Sequence, residues 1–186
     1  YNLADLHARG LGVARDDAVA AQWYRRSAEG GLAMGQYNWG VFLTEGRGVP
    51  QDHAQAVRWF ALAATQGDAD AAEYLGIAHL LGRGVNKNNA KAAGWFRRAA
   101  EQGQAGAQFN LGVLLDQGRG VAKDRAQAAL WWRRSAEQGD ADAQYNLGSV
   151  LHDGRGVTRD WAQAASWFRR AAEQGHASAQ NNLAVM

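Results

Sequence analysis

A period of 36 residues runs through the whole chain without one insertion, and it restricts the fold more than any other feature. Trp23, Trp59, Trp95, Trp131 and Trp167 keep that spacing, as do Gly12, Gly48, Gly84, Gly120 and Gly156. Gly31, Gly67, Gly103, Gly139 and Gly175 form a third series. The chain divides into a partial unit at 1–31, full units at 32–67, 68–103, 104–139 and 140–175, and a stub at 176–186. No linker or low-complexity tract separates them, so 1–186 reads as a single solenoid domain. A unit this short cannot bury its apolar face alone and must stack on its neighbours.

Each unit reads as two helices. In 104–139, Ala107, Leu111, Leu114 and Leu115 form a stripe at helical spacing. Gly118 and Gly120 are expected to stop that helix, since glycine adopts left-handed backbone conformations without steric cost. Asp124 stands where a second helix needs an N-cap, and Asp16, Asp52, Asn88 and Asp160 hold the equivalent place. Gly40, Gly76, Gly112 and Gly148 fall mid-helix, where glycine costs about 1 kcal/mol relative to alanine. A cost that recurs implies a recurring close approach of another helix. Ala4 and Ala184 fill the same position in the end units.

Composition narrows the function. Twenty basic residues against 18 acidic leave a net charge of +2, too weak a field for dedicated nucleic-acid binding. The absence of cysteine removes disulfide scaffolds, thiolate metal sites and cysteine nucleophiles, and leaves the compartment open. No apolar run approaches the roughly 20 residues of a membrane span. The sequence opens at Tyr1 without Met or a signal-peptide pattern, as expected of an excised or processed fragment. Arginine far outnumbers lysine, which points towards a bacterial source.

Ala-Gln-Tyr-Asn-Leu-Gly at 143–148, Asp-Gly-Arg-Gly-Val at 153–157, Asp160, Trp167-Phe168 and Ala171-Ala172-Glu173-Gln174-Gly175 resemble the Sel-1-like repeat, a relative of the tetratricopeptide repeat. The resemblance covers essentially the whole chain. It implies an all-α, right-handed superhelical solenoid of helix-turn-helix repeats, about ten helices here. It also implies a non-enzymatic adaptor or scaffold that holds a peptide or protein segment on the concave first-helix surface.

Carried over by register, that surface comprises Tyr37, Val41, Thr44 and Glu45, then Glu73, Ile77, Leu80 and Leu81. Phe109, Val113, Asp116 and Gln117 follow, then Tyr145, Ser149, His152 and Asp153. These strips hold four carboxylates and no lysine or arginine. The expected partner therefore has apolar anchors and some basic character, and a clamp for a terminal carboxylate is disfavoured. Leu80 and Leu81 are the most suggestive pair, because other full units carry polar residues there, although helical phase also allows either to turn into the core.

Other motifs read as structural. Gly-x-Gly recurs after a helix and not after a strand, and lacks the remainder of a phosphate-loop pattern. Arg47, Arg83, Arg119 and Arg155, between those glycines, suit the negative end of a helix dipole. Arg25-Arg26, Arg97-Arg98, Arg133-Arg134 and Arg169-Arg170 have glutamates one helical turn away and read as a solvated face. Asn38, Asn110 and Asn146 suit an inter-repeat hydrogen bond or a ligand contact, and Trp161 suits local packing or an interface.

His7, His53, His79, His152 and His176 show no i, i+4 metal pair, and neither a metal nor a cofactor is expected. Some family members have been proposed to act on β-lactams, yet no nucleophile with a partner is visible in this sequence. A second reading is a scaffold that assembles through its ends or convex face with no groove ligand. The stub stops within a first helix, so its apolar surface suits a further repeat, another chain or end-to-end self-association.

Overall fold

A computed structural model of the chain describes residues 1–184. Among them are eleven helices and no strand: α1 (Asn2–Arg9), α2 (Asp17–Glu29), α3 (Ala33–Glu45), α4 (His53–Thr65), α5 (Ala69–Leu81), α6 (Asn89–Glu101), α7 (Ala105–Gln117), α8 (Arg125–Glu137), α9 (Ala141–Asp153), α10 (Trp161–Glu173) and α11 (Ala177–Ala184). Residues 185–186 of the expected stub, and the side chain of Ala184, lie outside the described residues. The helices form two compact units, Tyr1–Asn88 and Asn89–Met186. Within each unit every helix packs on its neighbours in the sequence, the arrangement of an α-solenoid.

The repeated residues explain the helix ends. Gly46 and Gly82 in the first unit, and Gly118 and Gly154 in the second, take φ near 70°, and their N–H groups return to the last turn of the first helix. The second glycine of each Gly-x-Gly does something else. A Cβ on Gly48 or Gly84 would collide with backbone at Asp17 or His53, and on Gly120 or Gly156 with Asn89 or Arg125. It is a contact point between one repeat's turn and the start of the preceding second helix, not a helix stop. Asp16, Asp52, Asp124 and Asp160 cap second helices through their carboxylates, as expected. Asp68 and Asp140 cap the first helices α5 and α9 as well.

Gly40, Gly112 and Gly148, mid-helix, each admit an aromatic ring from the second helix of their own repeat. A Cβ on Gly40 would stand 2.7 Å from the Phe60 ring, and one on Gly148 would stand 2.8 Å from Phe168. Gly112 abuts Trp132 in the same way. The cores around these rings are largely alanine and leucine, such as Ala63 and Leu75 in the first unit and Leu111 and Leu147 in the second.

A buried glutamine ties successive helices together. In the first unit Gln36 Nε2 donates to the Ala28 carbonyl (3.4 Å) and its Oε1 accepts from Gln66 Nε2 (2.8 Å). In the second, Gln108 joins Ala100 to Gln138 and Gln144 joins Ala136 to Gln174, at 2.8–3.1 Å. Each of these helix-end carbonyls also accepts the N–H of Gly31, Gly103 or Gly139, so the glutamine amide is a second donor that ties the next helix to it.

Candidate functional site

In the first unit three rings cluster beside the first-helix positions, Tyr37 and Tyr74 from α3 and α5 and Phe60 from α4. Tyr37 meets Tyr74 edge-on with ring centroids 5.8 Å apart, and Tyr74 stacks on Phe60 at 4.8 Å. Burial raises the hydroxyl pKa of both tyrosines. Beside them a small cavity of about 60 Å³ is lined by Thr44, His53, Val57, Phe60, Tyr74, Ile77 and Arg83, among others. Val41 and Glu73 are half-buried. Neither member of the leucine pair enters the core: Leu80 is half-buried and Leu81 is 51% exposed. Glu45 is exposed, 3.8 Å from Arg47.

In the second unit the equivalent positions surround open space. One cavity of about 340 Å³ is lined by Tyr145, Ser149, His152, Asp153, Arg155, Phe168 and Asn182. A second, of about 240 Å³, is lined by Val113, Asp116, Gln117, Trp132, Tyr145, Asn146, Ser149, Val150 and Arg155. The two share Tyr145, Ser149 and Arg155. Tyr145 stacks on His176, 4.5 Å between centroids, and Ser149 donates to the Tyr145 carbonyl at 3.0 Å. Phe109 lines neither cavity; it is half-buried, and its carbonyl accepts from Trp132 Nε1 at 3.3 Å.

These contacts correct the expectation of an arginine-free, acidic face. Arg155, from the Gly-x-Gly turn, enters both cavities, and its Nε meets Asp153 Oδ2 at 3.0 Å. His152 Nδ1 holds the other carboxylate oxygen at 2.9 Å. The His152 hydrogen bond, with the Arg155 charge, holds the Asp153 carboxyl below the usual carboxylate range. Asp116 is met by Arg125 Nε at 3.2 Å. With Asp116 and Asp153 each facing an arginine of the chain itself, the reason for expecting a basic partner falls away in this unit.

The other marked residues divide. Asn38 and Asn110 donate to the carbonyls of Met34 and Gly106, each at 2.8 Å, which are bonds within one helix and not between repeats. Asn146 lines the second cavity. Trp161 is 61% exposed, with Arg159 lying 5.8 Å over its ring. On the second helices Arg26, Arg98, Arg134 and Arg170 stack on Trp23, Trp95, Trp131 and Trp167, which gives those arginines partners beyond the helix dipole. No group of three or more metal-ligating side chains occurs among the described residues, and none of the described helices is long and apolar enough to cross a membrane.

Sequence reasoning missed Arg155, Asn182 and the aromatic floor of Trp132 and Phe168. The signal for Arg155 was its recurrence between two constrained glycines. The turns that close α3, α5, α7 and α9 each carry an arginine between two glycines, and Arg155 reaches the face of α9. Asn182 could have been found by register, since it lies 36 residues beyond Asn146.

Paired helices at a constant period define an α-helical repeat protein. The chain belongs to the Sel1 repeat family: the family profile matches residues 1–32, 33–68, 69–104, 105–140 and 141–176. Sel1-repeat proteins are generally protein–protein interaction modules and not enzymes. Among solved structures the chain is similar to a protective antigen of uropathogenic Escherichia coli that displays this fold, with 39% identity and a TM-score of 0.95 over 98% of the chain. It is also similar to a Sel1 repeat protein from Oxalobacter formigenes, with 35% identity and a TM-score of 0.88 over 98% of the chain. The chain spans 39% of the antigen's length and 74% of the Oxalobacter protein's. Helicobacter pylori cysteine-rich protein B, at 23% identity and a TM-score of 0.56, matches 72% of this chain and 96% of its own, and shares the fold alone. No curated protein sequence matches the chain.

Proposed function

We propose that the chain is a non-enzymatic interaction module whose first-helix faces hold a segment of a partner protein. The observation that carries this reading is the pair of cavities around Tyr145, Ser149 and Arg155. Several of their lining positions differ from repeat to repeat, as at Ser149, His152 and Asp153, whereas Arg155 and most positions that build the scaffold recur. Variation on a constant frame is how a repeat protein acquires a specific surface. The remaining first-helix positions, Tyr37, Val41, Glu45, Glu73, Ile77, Leu80, Leu81 and Phe109, extend that surface with apolar anchors. The single solenoid domain of 1–186 supplies the frame.

The test is peptide display on the purified chain beside a Ser149→Trp variant, which fills the space shared by the two cavities. A motif enriched by the native chain and not by the variant supports the reading. No enrichment, or equal enrichment by two proteins of equal helical content, overturns it.

A further inference from the structure

We propose that Arg155 receives the side-chain carboxylate of an acidic residue in the bound segment. This rests on the reading that the second unit's first-helix face holds such a segment. A guanidinium carries five N–H donors in a planar fork. Arg155 spends its Nε on Asp153 at 3.0 Å, and it has no other partner among the described residues. Its two terminal amino groups keep their donors, in the geometry that takes a carboxylate with two parallel bonds.

The surroundings favour an acid over a base. Both oxygens of Asp153 are engaged, one by Arg155 and one by His152, and Asp116 is engaged by Arg125. The terminal N–H groups of Arg155 are thus charged donors of this face without a partner among the described residues. Asn146 and Asn182 line one cavity each and form no hydrogen bond among the described residues. Their carboxamides can serve the main chain of a segment on either side of Arg155. Because Arg155 lines both cavities, bound chain has room on either side of it. That suits a side chain in mid-segment better than a chain terminus.

The arginine of the turn after α3 is tied more closely into the scaffold. Arg47 Nη2 reaches Asp17 at 2.7 Å and the Ala8 carbonyl at 3.4 Å, and its guanidinium lies 4.3 Å over the Phe42 ring. Arg47 joins helices; Arg155 has donors left over.

Three short peptide libraries test this, identical except for one feature: a central Glu with amidated ends, a central Gln with amidated ends, and a central Gln with a free C-terminal carboxylate. The native chain is expected to bind the Glu library about tenfold tighter than the amidated Gln library. The ratio should fall to about one in Arg155→Gln and persist in Arg119→Gln, with helical circular dichroism unchanged in both. Equal binding of the Glu and amidated Gln libraries, lost for both in Ser149→Trp, overturns the carboxylate assignment and leaves the groove reading standing. A ratio that survives in Arg155→Gln, or a preference for the free terminus over central Glu, also overturns the assignment. No binding by the native chain, or equal binding by Ser149→Trp, overturns both.

Discussion

The two units present the same helices and opposite faces. In the first, Tyr37 is met by Tyr74, and the cavity beside them holds only about 60 Å³. In the second, Tyr145 occupies the register of Tyr37, but Asn182 stands where Tyr74 would be, and about 340 Å³ stays open. The ring beneath is the same in both, Phe60 or Phe168. Tyr145 stacks instead on His176, and neighbouring first-helix positions differ as well, His152 and Asp153 against Thr44 and Glu45. Arg47 in the first unit is bound to Asp17, whereas Arg155 in the second carries unspent donors. The scaffold residues stay nearly constant between the two units, and their faces differ at a few positions.

The largest effect expected is one that treats both units alike. Phe60→Ala and Phe168→Ala each remove the ring that fills the hollow of a mid-helix glycine, and both rings are 1–2% exposed. Each should lower stability by about 3–5 kcal/mol in chemical denaturation. A large disparity between them would mean that the two scaffolds are not equivalent.

Next come substitutions that trade one face for the other. Tyr74→Asn removes a ring stacked on Phe60 and should enlarge the first unit's cavity, costing about 2 kcal/mol in denaturation. Asn182→Tyr should close the larger cavity and abolish peptide selection with little change in stability. If Asn182→Tyr binds as the native chain does, residue 182 does not control access.

Much of this architecture was legible in the sequence because the repeat is exact. Glycine and aspartate at fixed register marked nearly every helix end, and the alanine and leucine stripes marked the buried sides. Three things were not legible. The second glycine of each turn answers to backbone from the preceding repeat, which is a contact remote in sequence. Gln36, Gln108 and Gln144 are buried against helix ends that the repeat pattern alone does not place beside them. Arg155 stands outside the first helix, so projecting helix positions onto a face could not find it. The acidic edge inferred from Asp116 and Asp153 failed for the same reason, since the arginines that meet them, Arg125 and Arg155, both lie outside the first helices.

Smaller effects should separate the two arginines. Arg47→Gln breaks a short ion pair between helices at a site where its side chain is 29% exposed, and should cost about 1 kcal/mol. Arg155→Gln should stay within about 0.5 kcal/mol, because its single ion pair is with a carboxylate two residues away on the surface. Equal costs would place Arg155 among the structural arginines and weaken its assignment to a ligand.

The smallest effect is the pH response of that structural ion pair. Hydrogen bonds from Arg47 first, then Arg15, hold the Asp17 carboxyl below its ordinary value of 3.8. A carboxylate with a depressed native pKa binds protons more readily when unfolded. Its contribution is thus complete above about pH 4 and drains away as pH falls through the depressed value. Denaturation midpoints of the native chain should therefore decline between about pH 4 and pH 2, and Asp17→Asn should start lower and decline less steeply. In Arg47→Gln the same flattening should appear, since the first cause of the depression is gone. Parallel curves for all three proteins would mean that the acid response arises elsewhere, and that the closed face of the first unit does not depend on this pair.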